Sequence, residues 1–339
     1  MKTRFTFKNP EDEAVRNIIR LSGDLDRGVA DQNQMLFAQA LTMPLRQGVL
    51  VGDILEGIFE TNVLSPGVPA EYPLDILQPG TEDDFVAYTN PGNGRIPENQ
   101  VEGDYVMIPT YGVTNSIDWL LRHAREARYD LIGRALQIMV NGFLQKKNND
   151  GMHTILAAAA DRNILVYDAD ATAGRFTKRL VSLMKTVMRR QAGGNTGSMT
   201  RGKLTDLYLS PEALEDIRNW NIDQVDEMTR REIYLASDDS ATITRIFGTN
   251  LHDLDELGVG QQYQSYFTSD LGGSLQGSDV ELVLGLDLST NDSFIMPIKE
   301  ELQVFNDPML HRSQRQGYYA WMEMGVGVLD NRRCILGSF

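Results

Sequence analysis

Apolar residues recur at helical spacing through the middle of the chain. Leu131, Ile132, Ala135, Leu136, Met139, Val140, Phe143 and Leu144 fall on one broad face. The pattern predicts a helix from Ser116 to about Asn148, broad enough in its apolar face to pack on both a sheet and other helices. Asp130 is placed to cap a fresh start after a bend near residues 128–129, and Lys146 and Lys147 suit the end, where the helix dipole favours positive charge. Unbroken, such a helix would reach about 45 Å. A second stripe, Phe176, Leu180, Leu183, Met184, Val187 and Met188, predicts a helix over Arg175–Arg190 that stops at Gly193 and Gly194.

Alternation takes over near the end. Tyr318, Ala320, Met322, Met324, Val326 and Val328 alternate with Tyr319, Trp321, Glu323, Gly325 and Gly327, which predicts a strand with one unbroken apolar face. Shorter strands are expected at Leu204–Leu209, Ala241–Phe247, Val280–Leu286, Ser293–Ile298, Glu301–Phe305 and Arg333–Leu336. Ser210, Pro211 and Glu212 supply a cap, a first-position proline and a first-turn acid, so a helix should follow Leu209 directly. Upstream, Asn9 and Pro10 open a helix that Gly23 can close, and Asp31–Thr42 is a second helix stopped by Pro44. These first fifty residues show no independent core.

Between about residues 58 and 110 the periodicity fades and Pro and Gly accumulate. Phe85–Thr89 and Asp104–Pro109 are short strand candidates separated by the turn run Asn90-Pro91-Gly92-Asn93-Gly94. A connection this long is rare unless it is functional or disordered. Glu71, Asp75, Glu82, Asp83, Asp84, Glu98, Glu102 and Asp104 face only Arg95, and there is no lysine. The reading is a long two-stranded acidic arm, which must lie on something because an isolated ribbon is marginal in water. Arg122, Arg125 and Arg128 recur every three residues and form a basic strip suited to receive Glu82, Asp83 and Asp84 of a neighbouring chain.

Composition narrows the class. The 339 residues suffice for two or three compact units, and 42% hydrophobic with 23% charged residues fits an ordered chain. The net charge of −15 argues against a dedicated nucleic-acid binder, which needs clustered cations to displace counterions. It is compatible with a wall that encloses nucleic acid without gripping it. No apolar run approaches the ~20 residues a membrane span needs. The first residues turn acidic where an export signal needs its apolar core, so export is not expected. Cys334 is the one cysteine, which excludes an internal disulfide and suits a reducing cytoplasm.

No catalytic set emerges. Gly197–Lys203 has the phosphate-loop spacing, but Leu204 stands where Ser or Thr would hold Mg²⁺, and a helix precedes the loop where a strand is required. His123, His153, His252 and His311 lack metal-ligand spacing, and Asp168 and Asp170 lack the glycine and closing glutamate of a calcium loop. No cofactor and no metal are expected.

The order of these parts resembles the major capsid protein of tailed bacteriophages, with its Hong Kong 97-like fold, over nearly the whole chain. The segments LYLSPEALEDI and YAWMEMGVGVLDNRRCIL carry the resemblance best. It implies an α+β chain with an N-terminal arm (1–57) and an extended β-hairpin E-loop (58–110). A peripheral domain with a long spine helix (111–159), an α/β axial domain (160–298) and C-terminal peripheral strands (299–339) would complete it. It further implies self-assembly into hexamers and pentamers, an icosahedral head around double-stranded DNA bound without sequence specificity, a portal, and in some relatives a cement protein. Without a lysine in the E-loop the covalent cross-link of the type member cannot form, so the shell is expected to hold non-covalently. The short stretch before the ribbon leaves a separate scaffolding protein as the expectation. Two alternatives stay open: an encapsulin-like compartment, which shares the fold and encloses protein cargo, and, of another class, a soluble α/β nucleotide-binding enzyme using residues 193–203.

Overall fold

The computed structural model describes residues 11–24, 26–51, 54–55, 57–65, 67–73, 105–126, 129–172, 174–191, 202–220, 245–275, 280–290 and 292–339. In chain order the elements are α1 (Glu11–Ser22), α2 (Arg27–Val51), β1 (Glu60–Val63), β2 (Glu71–Pro73), β3 (Tyr105–Met107), β4 (Tyr111–Leu120), α3 (Leu121–Arg125), α4 (Tyr129–Asp161), β5 (Leu165–Tyr167), α5 (Lys178–Gln191), β6 (Asp206–Leu209), α6 (Pro211–Arg218), β7 (Arg245–Ile246), β8 (Thr249–Asp253), α7 (Gln262–Ser265), β9 (Leu282–Leu286), β10 (Phe294–Asp307), β11 (Arg315–Met324), β12 (Gly327–Val328) and β13 (Cys334–Ser338). They form two compact units. The first draws on Met1–Glu71, Met107–Gly151 and Ile295–Gly327, the second on Tyr72–Val106, Met152–Phe294 and Val328–Phe339.

The first unit is built on a sheet of order β1-β10-β11-β4, with β1 parallel to β10 and the other pairs antiparallel. On β11 the expected alternation holds as far as Met324; the strand does not run on to Val328, because the Gly325 amide turns to the Pro297 carbonyl and Gly327–Val328 form the separate strand β12. Gln316, Tyr318, Ala320, Met322 and Met324 are buried, while Tyr319 and Trp321 stay exposed. Helices α1 and α2 lie on the buried face. Phe37 of α2 meets the Tyr318 ring edge-on at 5.4 Å, and Trp119 of β4 lies 5.4 Å from the same ring. Ser22 accepts a 2.9 Å hydrogen bond from Gln316 Nε2, and Gln34 Nε2 donates 3.0 Å to the Ser22 carbonyl. Helix α4 approaches closely where Gly142 leaves room for the Asn115 side chain, which donates to the Met139 carbonyl at 3.3 Å. The described N-terminal helices thus complete a core built with the C-terminal strands.

Three further sequence expectations change here. The predicted helix from Ser116 begins too early. Residues up to Leu120 are strand, because Ile117 and Trp119 also satisfy a period of two and pair with Tyr318 and Gln316 of β11. The helix instead runs from Tyr129 to Asp161, past Asn148, because Ile155, Leu156 and Ala159 prolong the buried face. Pro44 does not end α2, which continues to Val51 with Leu45 buried beyond it; burial on that face outweighs the local cost of the missing donor. Finally, Ser293–Ile298 and Glu301–Phe305 are one strand, β10. Two register shifts, on either side of Glu300, absorb the polar run between them.

The second unit has a six-stranded sheet of order β5-β13-β9-β6-β8-β7. Strand β13 is parallel to β5 and antiparallel to β9, and β6 is antiparallel to β9 and parallel to β8. Leu180, Val181, Met184 and Met188 of α5 and Ala213, Leu214 and Ile217 of α6 share one core with Leu207, Leu209, Val283 and Ile335 of the sheet. The expected start of α6 is observed: Ser210 Oγ accepts from the Ala213 amide at 3.2 Å, with Pro211 in the first turn. Alternation in β6 sends Leu207 and Leu209 to the helices. Gly285 is needed where side chains crowd β9, since a Cβ there would lie 2.6 Å from Leu204 Cδ1, 2.8 Å from Ile335 Cγ2 and 3.1 Å from Met184 Cε of α5.

Two outcomes test this packing. Tyr318→Ala should cost about 3–5 kcal/mol, as large buried aromatics do, read as a lower urea midpoint at unchanged slope. Gly285→Val should cost about 1–3 kcal/mol by overpacking; a melting midpoint equal to the wild type would show that side chains do not crowd β9 there.

Candidate functional site

Of the six residues expected to join subunits, two lie within the described residues. Arg122 and Arg125 are exposed on α3, the short helix that β4 feeds directly. The backbone packs tightly at this turn, where a Cβ on Gly23 would lie 3.0 Å from Ala124 Cβ and 3.1 Å from Arg125 Cγ. Among the described residues neither guanidinium has a carboxylate partner. Glu82, Asp83, Asp84 and Arg128 lie outside the described residues, so their pairing remains a proposal. The strand candidate Phe85–Thr89 and the loop 193–201 also lie outside them.

The root of the acidic segment is an apolar surface. Strands β2 and β3 pair as a two-stranded ribbon. All three side chains of β3 are exposed, Tyr105 at 69% and Met107 at 65%. On the first unit, Tyr319 and Trp321 point outward from β11 with Phe305, whose ring centre lies 5.5 Å from Tyr319 and 5.4 Å from Trp321. Single exposed apolar residues are ordinary, but contiguous ones mark contact surfaces.

The nucleotide reading of residues 193–203 meets a specific obstacle. Asp287 Oδ2 accepts from the Gly202 amide at 2.8 Å and the Lys203 amide at 3.1 Å. Those are the amides a phosphate would need, and a carboxylate already occupies them. The expected context is observed as well: helix α5 precedes the loop and strand β6 follows it. Among the described residues no group of three or more His, Cys, Asp or Glu is placed to hold a metal. His252 Nε2 lies 2.7 Å from Asp206 Oδ1, and its ring stacks on Tyr208 at 4.7 Å. Asp206 also accepts from Asn250 at 3.1 Å. Burial works to raise the Asp206 carboxyl, but the hydrogen bonds from His252, Thr205 and Asn250 outweigh it and hold the carboxyl below its usual range. This is a satisfied structural cluster on neighbouring strands.

Electrostatics on the second unit went unread in the sequence. Helix α5 was legible as amphipathic, but every charged residue on it is a cation: Lys178, Arg179, Lys185, Arg189 and Arg190, with no carboxylate. Carboxylates gather on the other helix and the adjoining strand end. Glu212 and Glu215 of α6 and Asp253 and Asp255 are exposed. Burial and then the charges of Asp255 and Glu212 raise the Asp253 carboxyl, against Arg218. Nearby, Glu281 is raised by burial and by Glu212 and Asp216, against the hydrogen bond from Ser210. The cationic face could have been found by listing only the non-apolar positions of the Arg175–Arg190 stripe. The acidic cluster could not, because Glu212 and Asp253 are far apart in the chain.

Cys334 begins β13 fully buried, and burial pushes its thiol up to about 12. It is packing, as expected. In native protein Cys334 should react with a thiol reagent only as fast as the chain unfolds, so labelling should accelerate steeply in urea. Fast labelling of the folded chain would contradict this placement.

No family model matches the chain, and no curated protein matches it in sequence. Solved structures do. The Cyanophage Pam1 capsid asymmetric unit superposes with a TM-score of 0.54 at 13% identity, covering 83% of this chain and 88% of that one. The head structure of Helicobacter pylori bacteriophage KHP40 gives 0.54 at 11% identity, covering 85% and 90%. The capsid of a native GTA particle gives 0.54 at 12% identity, covering 86% and 90%. At such identities the likeness concerns the fold. The chain has the Hong Kong 97-like capsid fold.

Proposed function

We propose that this chain is a major capsid protein, whose copies assemble into hexamers and pentamers and close an icosahedral head around the double-stranded DNA of a tailed phage. The observation that carries this reading is the fold, shared over most of this chain and most of each phage capsid chain. The exposed apolar root of the ribbon supports it. Tyr105, Val106 and Met107 lie open on a two-stranded ribbon, and a ribbon with apolar side chains in water needs a surface to lie on. In a shell the neighbouring copy supplies that surface. The role is structural rather than catalytic. The protein belongs in the virion, assembled in the host cytoplasm with a separate scaffolding protein, a portal, and a cement protein where the shell needs one.

The acidic arm is proposed to settle on its neighbour, with Glu82, Asp83 and Asp84 near Arg122, Arg125 or Arg128 of the next copy. Each exposed pair contributes only ~0–1 kcal/mol, but the contact repeats around the shell. An assembled-particle structure should place these acids within reach of those arginines. A separation above about 10 Å, beyond the screening length at 0.1 M salt, would refute the pairing.

Negative-stain microscopy of purified protein tests the main reading, with closed particles as the expected outcome. Particles recovered from infected or expressing cells should contain DNA. Protein cargo in its place would point to an encapsulin-like compartment. With no lysine between residues 58 and 110, boiled particles should run as single chains on a denaturing gel, and covalent rings there would contradict non-covalent assembly.

A further inference from the structure

The second unit carries two surfaces of opposite charge. On α5 the exposed positions include Lys178, Arg179, Arg189 and Arg190, with Lys185 half-buried. These positions repeat at helical spacing and share one side, because Leu180, Val181, Met184 and Met188 fill the other. Five cations without a carboxylate on one helix stand out in a chain of net charge −15. The acidic surface holds Glu212 and Asp255 around Asp253, with Arg218 among them, and Glu215 is exposed one turn beyond Glu212 on α6.

Within one copy the two surfaces are hardly satisfied by each other. Arg175 meets Asp216 at 3.1 Å where the start of α5 nears α6. Arg179 pairs with Asp168 and Asp170, which are outside the acidic surface. Among the described residues no ion pair links α5 itself to Glu212, Glu215, Asp253 or Asp255. Burial first, and then the neighbouring charges of Asp255 and Glu212, oppose ionisation of Asp253, which Arg218 only partly offsets. A cationic partner offsets more of it.

We propose that the cationic face of α5 in one copy docks on the Glu212–Glu215–Asp253–Asp255 surface of a second copy, as a head-to-tail contact repeated around each ring. This rests on the shell reading above and names the surfaces that one part of it uses. Two different patches make a heterologous contact, which propagates around a ring until it closes. A second copy fits better than nucleic acid on two grounds. Each chain carries both halves of the contact in equal number. The chain as a whole is acidic, which opposes the approach of phosphates.

Charge reversal in the full-length chain tests the contact. One variant is Arg189→Glu with Arg190→Glu, the other Glu215→Lys with Asp255→Lys; all four side chains are exposed. Both variants should melt at the wild-type temperature. Alone, each should need at least about tenfold more protein to assemble, because like charges then face each other. Mixed in equal amounts, they should form hexamers again at the wild-type concentration, since each variant's altered face now opposes a complementary one. The rescued rings must alternate the two variants, so hexamers should return and pentamers should not. Assembly of either variant at the wild-type concentration, or no rescue on mixing, overturns the contact. Normal assembly with reduced DNA content also overturns it, and would assign the α5 face to nucleic acid. A wild-type chain that remains a single copy overturns the shell reading instead, and this one with it.

Discussion

Strand β11 is the element on which the first unit depends. Its ten residues pair along their whole length with β4 and along most of it with β10. Because successive side chains point to opposite faces, one strand both gathers α1 and α2 on its inner side and presents Tyr319 and Trp321 on its outer side. Tyr318 lies at the centre, in contact with rings from α2 and β4. Ser22 accepts from Gln316 through its hydroxyl and from Gln34 through its carbonyl; both bonds are buried, and buried hydrogen bonds fix position more than they add stability. The N-terminal helices are thereby set at one place on the sheet.

The second unit solves a different problem. Its sheet is mixed, and α5 and α6 share one core over it. Glycines at 285 and 337 let the Met184 side chain approach strands that a Cβ would hold off. Asp287 closes the chain entering β6 by accepting two consecutive amides. Arg333 is buried with its guanidinium held by the Thr290 carbonyl and by Asp292 at 2.8 Å each. Loops on this unit are therefore anchored at their bases by charge-assisted hydrogen bonds, which are stronger than neutral ones.

Charge is distributed unevenly at several scales. The segment from 65 to 110 is almost purely acidic and α5 is purely basic. Neither pattern helps a monomer fold, since like charges on one element repel. Both make sense where surfaces meet in many copies, because weak contacts of fixed polarity select orientation and register more than they add affinity. A net charge of −15 also makes copies of the chain repel one another at long range.

By itself the sequence determined the kinds of element and their order. The β11 alternation, the α5 stripe and the Ser210-Pro211-Glu212 helix start are local patterns, and local patterns survive folding when burial agrees with them. The resemblance to tailed-phage capsids was legible from that order and from the segments LYLSPEALEDI and YAWMEMGVGVLDNRRCIL. Only the tertiary structure decided where patterns compete or where partners are distant. Ile117 and Trp119 fit both a helix and a strand, and pairing with β11 chose the strand. Pro44 signals a stop, yet α2 runs on to Val51, with Leu45 buried directly after the proline. The approach of Glu212 to Asp253, and of Gly202 to Asp287, joins residues tens of positions apart, and no window along the chain contains both.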